Sequence, residues 1–414
     1  MKKKLISYAA VALVLTACSS EEPITPPNQV NDAMGANPYR VSLTDALKNA
    51  DALLGELGEG EVTRSAERKV ESVVYYSRPG TRSLGGDTLL YLVNYADDAG
   101  FALLSADSRL RPIYAISDEG SMSFSDTTYN KGLALFARGV EAEITSLPNP
   151  PYIPVDSLIN QPIFPDFGGT YIKSKVAPLL TPAVREWHQS SPYNMHCPTI
   201  GGVVAPVGCA ALAIGQIMTY YSWPLSYNNY QYHWGFIKEG NFDYATAHLL
   251  RRLGDYANLN MDYGSETSGA NTQARAAVTF VNFGYENPGS MQNFSTSYIC
   301  NYLNKALSNE IGGGPVLVRG EQSDLIYGHA WVIDGYIQYE SKGTLVPGGY
   351  LLHDVLFHCV WGWGGTSNGY FYWRNGFDTN NPIEKDEGDT NNQTTNRIYG
   401  NNVKILGGFV PNNQ

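Results

Sequence analysis

The residue best suited to nucleophilic chemistry is Cys209, which opens an apolar run that predicts a buried helix. It follows Gly208, and the run continues to Met218 with few β-branched residues. A thiol at a helix N-terminus faces unpaired amide groups and the positive end of the helix dipole, and both favour the thiolate. The alternative interpretation is a small buried cysteine that packs as a hydrophobe.

His329 is the partner that such a thiolate needs. It follows Gly328 at the start of the apolar stretch 330–336, so the pattern predicts a strand with a histidine at one end. Imidazole titrates near neutrality, and its protonated form stabilises a thiolate and later protonates a leaving amine. A structural histidine beside an apolar strand is the other interpretation.

Two further segments carry groups that would complete a nucleophilic site. Gln189, upstream of the cysteine, can donate its amide hydrogen to an oxyanion together with the backbone amide of Cys209. Trp361 and Trp363 lie in a glycine-rich stretch at 361–365 that would form a rigid wall shielding a histidine from water. The alternatives are a surface loop for Gln189, and a carbohydrate-binding pair or plain core for the tryptophans.

The elements that must position these groups indicate an α+β fold. Helices are predicted at 209–218, 271–283 and 296–309, and strands follow at 315–318, 329–336, 350–360, 369–373 and near 403–410. Helices first and antiparallel strands after is an α+β layout.

A smaller α+β unit precedes this part of the chain. Its predicted elements are a helix at 41–57, strands at 73–76, 88–93, 101–104 and 112–116, a hairpin turn at 97–100 and a helix at 130–147. A proline-rich connector follows, with Lys173 and Lys175 at its end. Dense prolines exclude regular helix, and exposed connectors are sites of proteolytic nicking.

The N-terminus predicts export with a lipid anchor. Lys2, Lys3 and Lys4 precede a short apolar run at 5–15 that ends in Leu15-Thr16-Ala17-Cys18, which resembles a bacterial lipobox. Cys18 is then the lipidated residue, and lipid provides the membrane contact. An ordinary signal peptide with an incidental Cys18 is the alternative. The expected location is the outer membrane or cell surface, with release after activation as a variant.

Composition excludes some functions. The 414 residues carry 39 acidic and 28 basic side chains, a net charge of −11, which argues against a broad nucleic-acid-binding face. No Cys-x-x-Cys pair is present, so a structural metal site is not expected, and no cofactor is predicted. Beyond Cys18 and Cys209 there remain Cys197, Cys300 and Cys359, which form disulfides or stay as thiols.

These motifs together resemble the streptopain family of cysteine peptidases, in the papain-like clan. The matching residues are Trp187-x-Gln189-x-x-Pro192-Tyr193-Asn194, Gly208-Cys209-Ala210-Ala211 with Gln216-Ile217-Met218, Gly328-His329-Ala330 with Val332-Ile333-Asp334-Gly335, and Trp361-Gly362-Trp363-Gly364-Gly365. The stretch 93–120, with Gly100-Phe101 and Leu104-Ser105-Ala106-Asp107, is similar to the family's propeptide.

The resemblance implies a role for each residue. Cys209 is the nucleophile, His329 the base and acid, and Gln189 the oxyanion donor, while Trp361 packs beside the histidine. Gly328 and Trp363 are assigned to substrate binding. The implied fold is a papain-like catalytic domain of two subdomains, a helical part and an antiparallel sheet or barrel, preceded by a small α+β propeptide domain.

The expected organisation has five parts. These are a signal peptide at 1–17, a tether at 18–37, an inhibitory propeptide at 38–148, an activation connector at 149–175 cut near Lys173 or Lys175, and a peptidase domain at 176–414. The expected partners are protein or peptide substrates, the chain's own propeptide as an intramolecular inhibitor, and a separate propeptide-like inhibitor protein.

One position departs from the family pattern. Family members often carry asparagine before the first tryptophan, where it helps to orient the histidine, but this chain has Val360. A backbone carbonyl, Asp334 or His358 are the candidates to replace it. Val360 also supports a rival function, a peptide- or glycan-binding protein on the same fold. A second rival is another acyl-transfer enzyme, an amidase or transglutaminase, because the same dyad serves them all.

Overall fold

The computed structural model describes residues 39–57, 68–77, 88–117, 119–123, 131–146, 170–240, 244–321, 328–342, 351–373 and 403–412. The predicted signal peptide and tether, with Cys18, lie outside these residues, as does most of the predicted connector. Within the described ranges, no helix has the length and apolar character needed to cross a membrane.

The N-terminal unit is an antiparallel four-stranded meander with two helices. Its elements are α1 (Leu43–Leu57), β1 (Val70–Ser77), β2 (Thr88–Tyr95), β3 (Phe101–Ser105), β4 (Ile113–Ser117) and α2 (Lys131–Ser146). Asp97 and Gly100 in the turn between β2 and β3 have φ values of 60° and 91°, which aspartate and glycine tolerate. The amide of Tyr95 donates to the carbonyl of Gly100 at 3.0 Å, so the predicted hairpin is confirmed.

The next part of the chain is mainly helical. Its helices are α3 (Pro182–Arg185), α4 (Cys209–Tyr221), α5 (Trp234–Lys238), α6 (Tyr244–Leu253), α7 (Thr272–Asn282) and α8 (Thr296–Leu307). Its strands are β5 (Thr170–Val176), β6 (Thr199–Ile200), β7 (Val203–Val204), β8 (Ser226–Tyr227), β9 (Tyr230–Gln231), β10 (Asp262–Tyr263), β11 (Ser268–Gly269) and β12 (Gln292–Asn293). The helix predicted at Cys209 is confirmed; it ends at Tyr221 and is followed by Ser222, which has a φ of 54°.

Long antiparallel strands complete the fold. They are β13 (Val316–Gly320), β14 (His329–Lys342), β15 (Leu351–Val360), β16 (Gly369–Tyr372) and β17 (Lys404–Leu406). Helix α4 is buried along 210–219, because its apolar sides pack against β13 and β14 as well as against α6. The predicted α+β class, a helical part followed by an antiparallel sheet, is confirmed.

One sheet runs through both units, which the sequence analysis did not predict. The strand order is β1-β2-β3-β4-β16-β15-β14-β13-β17-β12, and β4 pairs antiparallel with β16, placing Ala115 opposite Phe371. Phe136 of α2 meets the Phe371 ring edge-on at 5.0 Å between centroids. The two units therefore share a sheet and a hydrophobic core.

The end of the predicted connector is also part of this sheet. Residues 170–176 form β5, which pairs with the outer half of β14, and Lys175 lies opposite Ile337. The Lys173 ammonium is 2.8 Å from the Glu340 carboxylate on β14. Lys173 and Lys175 are thus strand residues and not irregular chain, because backbone pairing with β14 holds this segment extended.

Candidate active site

Cys209 is the first residue of α4 and is half-buried. The chain enters the helix through Gly208, whose φ of 90° favours glycine. A Cβ on Gly208 would also lie 2.8 Å from the sulfur of Met261 and 3.2 Å from the carbonyl oxygen of Ser268, so a larger residue would require these neighbours to shift. The chain therefore enters the helix through a turn whose backbone conformation favours glycine, and Cys209 is the first helical residue.

His329 is the first residue of β14, lies opposite Gly320 of β13 and is 4% exposed. Its Nε2 is 3.0 Å from the carbonyl oxygen of Trp361. A carbonyl can only accept, so Nε2 carries the proton and donates it, which leaves the lone pair of the neutral ring on Nδ1. An imidazole held in this tautomer can take a proton from a thiol through Nδ1.

The backbone carbonyl of Trp361 thus orients His329. A backbone carbonyl was one of the three candidates that the sequence offered for this role. The other two act elsewhere: the Asp334 carboxylate is 2.6 Å from Nδ1 of His358, and it also accepts from the amide of Leu180 at 3.0 Å. Asp334 and His358 therefore fix the chain segment after β5 to the sheet. Val360 is fully buried in the apolar cluster around α4.

Aromatic rings enclose the histidine. The His329 ring is nearly parallel to Trp331, 6.1 Å away at 12°, and to Trp363, 6.0 Å away at 20°. Trp361 is fully buried and its indole N–H donates to the carbonyl of Ser367 at 2.9 Å. Trp331 was missed by the sequence analysis, because a tryptophan inside an apolar strand looks like ordinary core.

The segment around Gln189 contacts both the loop that precedes Cys209 and the glycine-rich stretch 361–365, here called the tryptophan turn. The carbonyl of Gln189 accepts from the amide of Val207 at 2.9 Å, two residues before Cys209. The carbonyl of Trp187 accepts from the amide of Gly364 at 3.2 Å, and His188 forms a bridge with Trp363. Gln189 is half-buried beside these contacts.

The tryptophan turn also touches helix α4, which begins with Cys209. A Cβ on Gly362 would lie 2.7 Å from a methyl carbon of Leu212, one turn after Cys209, and α4 packs directly on β14. The elements that carry Cys209, His329, Gln189 and Trp361 therefore converge on one region.

The other described cysteines are unsuited to nucleophilic attack. Burial raises the pKa of Cys197 to about 11 and that of Cys300 to about 12, and it raises the pKa of Cys359 well above its ordinary value. Thiols with such pKa values stay protonated near neutral pH. Cys197, Cys300 and Cys359 form no disulfide, and the described residues contain no group of histidine, cysteine or carboxylate side chains that could hold a metal ion.

Helix α2 of the N-terminal unit lies against His329 and Trp361. A Cβ on Gly132 would lie 2.3 Å from the Trp361 ring and 2.9 Å from Cδ2 of His329. One turn further, Leu135 reaches Gly320, the residue paired with His329, because a Cβ there would lie 2.2 Å from a Leu135 methyl. The helix therefore covers this side of the site.

Two family models match the chain. The Peptidase C10 family model matches residues 187–245 and 225–371, which include Gln189, Cys209, His329 and Trp361. The Spi protease inhibitor model matches residues 41–144, which form the N-terminal unit.

Similar proteins include two bacterial thiol proteases. Thiol protease/hemagglutinin PrtT of Porphyromonas gingivalis is 25% identical over 328 residues, covering 69% of this chain and 34% of that protein. Streptopain of Streptococcus pyogenes is 27% identical over 339 residues, covering 70% of this chain and 75% of streptopain. The chain thus spans about a third of PrtT and three quarters of streptopain. A fragment of Prevotella intermedia prointerpain A aligns with 80% of this chain and 98% of its own at 20% identity, with a TM-score of 0.49.

Proposed function

We infer that the chain belongs to the peptidase C10 family of cysteine peptidases, and we propose that it is an endopeptidase exported as a lipid-anchored zymogen. The observation that carries the catalytic part is the His329 imidazole, whose Nε2–H is held by the Trp361 carbonyl at 3.0 Å. That bond leaves Nδ1 to serve the thiol that opens the neighbouring helix.

The proposed reaction proceeds through an acyl-enzyme. Nδ1 of His329 takes the thiol proton, and the Cys209 thiolate attacks the peptide carbonyl carbon. The side-chain amide of Gln189 and the backbone amide of Cys209 donate to the oxyanion. The imidazolium protonates the leaving amine as the C–N bond breaks, and His329 then activates water to hydrolyse the thioester. Gly328 and Trp363 flank the histidine and contact the substrate.

Affinity labelling of the cleaved protein tests this function. An epoxide label for thiol peptidases should modify Cys209 stoichiometrically and abolish casein hydrolysis in parallel. The raised pKa values of Cys197 and Cys300 keep those thiols from competing near neutral pH. A Cys209 that neither reacts nor supports hydrolysis would overturn the proposal.

Val360 gives no support to the rival function, a binding protein with a disarmed site. The main-chain carbonyl of Trp361 accepts the hydrogen bond from Nε2 of His329. This is the orienting role that the asparagine side chain has in other family members. Analysis of the products formed from peptide substrates distinguishes a peptidase from an amidase or a transglutaminase.

We attribute latency to the N-terminal unit, which we propose as an intramolecular inhibitor. Helix α2 seats Gly132 on Trp361 and His329, where the close approach leaves no space for a substrate chain. The unit is also anchored at a distance: Arg111 forms an ion pair with Asp354 of β15 and lies 3.9 Å above the Tyr372 ring. Together with the β4–β16 pairing, these contacts support a block that persists until the connector is cut.

Gly132→Ala is expected to weaken this block in the uncut precursor. The new methyl would overlap the Trp361 ring, and overpacking of this kind costs about 1–3 kcal/mol, which corresponds to roughly a 5- to 150-fold gain in open molecules. The initial rate of epoxide labelling at Cys209 in precursor that is intact by gel measures the gain.

Gly235→Ala is the matched control, because a Cβ at this glycine of α5 would meet nothing within 4 Å. It should leave labelling of the precursor slow. Equal labelling rates for the Gly132→Ala and unmodified precursors would contradict latency through α2.

We place the activating cut before Thr170. A peptidase needs its substrate segment unpaired, whereas Lys175 is paired with Ile337 of β14, and Lys173 lies within β5 at the bulge between the paired residues Ile172 and Ser174. A cut within 149–169 would leave β5 as the first strand of the mature enzyme. The mass of the mature N-terminal peptide decides this, and a mature chain that starts after Lys173 or Lys175 would contradict it.

The lipid anchor rests on the sequence around Cys18. In a host that lipidates exported proteins, we expect an alkyne fatty acid to label the unmodified chain and a Cys300→Ala control, but not Cys18→Ala. The reason is that the thiol of Cys18 is the attachment point for diacylglycerol. Click detection after electrophoresis measures the label, and label that persists in Cys18→Ala would remove the anchor from the proposal.

A further inference from the structure

Asn368 links the tryptophan turn to the end of α3 through its side chain. It lies three residues after the tryptophan turn at 361–365, directly before β16, and is 6% exposed. Its Oδ1 accepts from the backbone amide of Trp361 at 3.0 Å, and its Nδ2 donates to the carbonyl of Arg185 at 3.1 Å. Arg185 ends α3, four residues before Gln189.

The bond to Trp361 bears on the histidine because Trp361 has two main-chain contacts. Its amide donates to Asn368, and its carbonyl accepts from Nε2 of His329 at 3.0 Å. The next residue is Gly362, with a φ of 79°. Because glycine is conformationally permissive, the peptide group between Trp361 and Gly362 can rotate easily. A hydrogen bond from outside the turn is therefore needed to fix the direction of the Trp361 carbonyl.

We propose that Asn368 is a positioning residue for His329, an inference that rests on the proposed peptidase function. It holds the Trp361 backbone so that the carbonyl meets Nε2–H, and through Arg185 it fixes the segment that carries Gln189. The side-chain amide of Asn368 thereby fixes the position of His329, the acid-base group, relative to Gln189, the oxyanion donor. In this chain, where Val360 offers no polar side chain to the histidine, the backbone route carries the orientation.

The tie does not depend on the N-terminal unit. The backbone carbonyl of Asn368 accepts from the Ser117 hydroxyl at 2.6 Å, but the two side-chain partners, Trp361 and Arg185, both lie in the part proposed as mature enzyme. Asn368 is therefore expected to act in the cleaved, active protein.

The test compares Asn368→Leu, Asn368→Asp and a control, Asn258→Leu. Asn258 is fully buried, and its amide donates to the carbonyl of Arg252 at 2.7 Å within the helical part. Asn368→Leu should lower kcat of the cleaved enzyme by about 10- to 100-fold with little change in KM, because small misplacements of a catalytic group have effects of this size. Asn368→Asp keeps an acceptor for the Trp361 amide and should lose less. Asn258→Leu should lower the melting temperature and leave kcat near that of the unmodified enzyme.

A second measurement does not require activity. In full-length Cys209→Ala protein with ¹⁵N-labelled histidine, the Nε2 proton of His329 should give a protected NMR signal, because a buried carbonyl holds it. The signal should persist with Asn258→Leu and be lost with Asn368→Leu.

The outcomes are distinguishable. An unmodified enzyme that hydrolyses nothing would sink the proposed function, and the NMR signal would still test Asn368. An active enzyme whose kcat and His329 signal both survive Asn368→Leu would overturn the positioning role, as would an equal loss of kcat in Asn258→Leu.

Discussion

Alanine at Cys209 or at His329 is expected to lower kcat for peptide hydrolysis by about 10⁶-fold, the scale seen when a nucleophile or its base is removed from a hydrolase. Without the thiol no acyl-enzyme forms. Without the imidazole, whose Nε2–H is bound by Trp361, the thiol has no acceptor for its proton. The measurement is single-turnover and steady-state cleavage of a peptide library by protein cut at the connector.

The double variant sharpens this prediction. If Cys209 and His329 act as one unit, removing both should lower kcat no further than removing either, within about tenfold. Cys300→Ala and His233→Ala are the matched controls, since Cys300 lies on α8 and His233 is an exposed residue before α5. Effects that multiply in the double variant would mean that the two residues serve separate functions.

The second large effect is expected at Gln189. Replacing it by alanine should lower kcat by about 10²- to 10³-fold, because one donor to the oxyanion is lost in the transition state. The melting temperature should stay near that of the unmodified protein, since the segment is held by backbone bonds from Val207 and Gly364. Gln189→Glu should behave similarly, because a carboxylate of nearly the same size cannot donate.

Gln216 provides the control for this prediction. It is buried on α4, and its amide donates to the carbonyl of Val184 at 2.9 Å, which joins α4 to α3. Gln216→Ala removes this buried hydrogen bond, while the Val184 carbonyl still accepts from the amide of Trp187 at 3.3 Å. The free energy of unfolding should therefore fall by about 0.5–1.5 kcal/mol, with kcat of the folded protein retained. A Gln189→Ala enzyme that keeps full kcat but unfolds early would make Gln189 a structural residue.

Local chemistry was readable from the sequence wherever neighbours in the chain decide the structure. The turn at Asp97 and Gly100 was predicted because its residues tolerate positive φ. Helix α4 was predicted because its apolar run lacks β-branched residues near its start, and its glycine-led N-terminus identified Cys209. The resemblance then joined Gln189, His329 and Trp361 to that thiol, and the structure brings their elements together.

Distant pairings were not readable in this way. The contact of Ala115 with Phe371 joins strands far apart in sequence, and neither strand's pattern names its partner. Residues 170–176 looked like the end of a connector because their pairing with β14 is invisible locally. Nothing in the sequence around Asn368 distinguishes it from an ordinary turn residue, because its proposed role depends on two bonds to backbone groups of Arg185 and Trp361.

The shared sheet changes what activation does to the surface. In the precursor β16 is an interior strand between β4 and β15. If the proposed cut releases the N-terminal unit, β16 becomes an edge strand with unpaired amides and carbonyls beside Phe371, and such an edge is a template for another strand. The proposed activation would therefore expose a strand edge on the mature enzyme, and its tendency to self-associate should differ from that of its precursor even when both are fully folded.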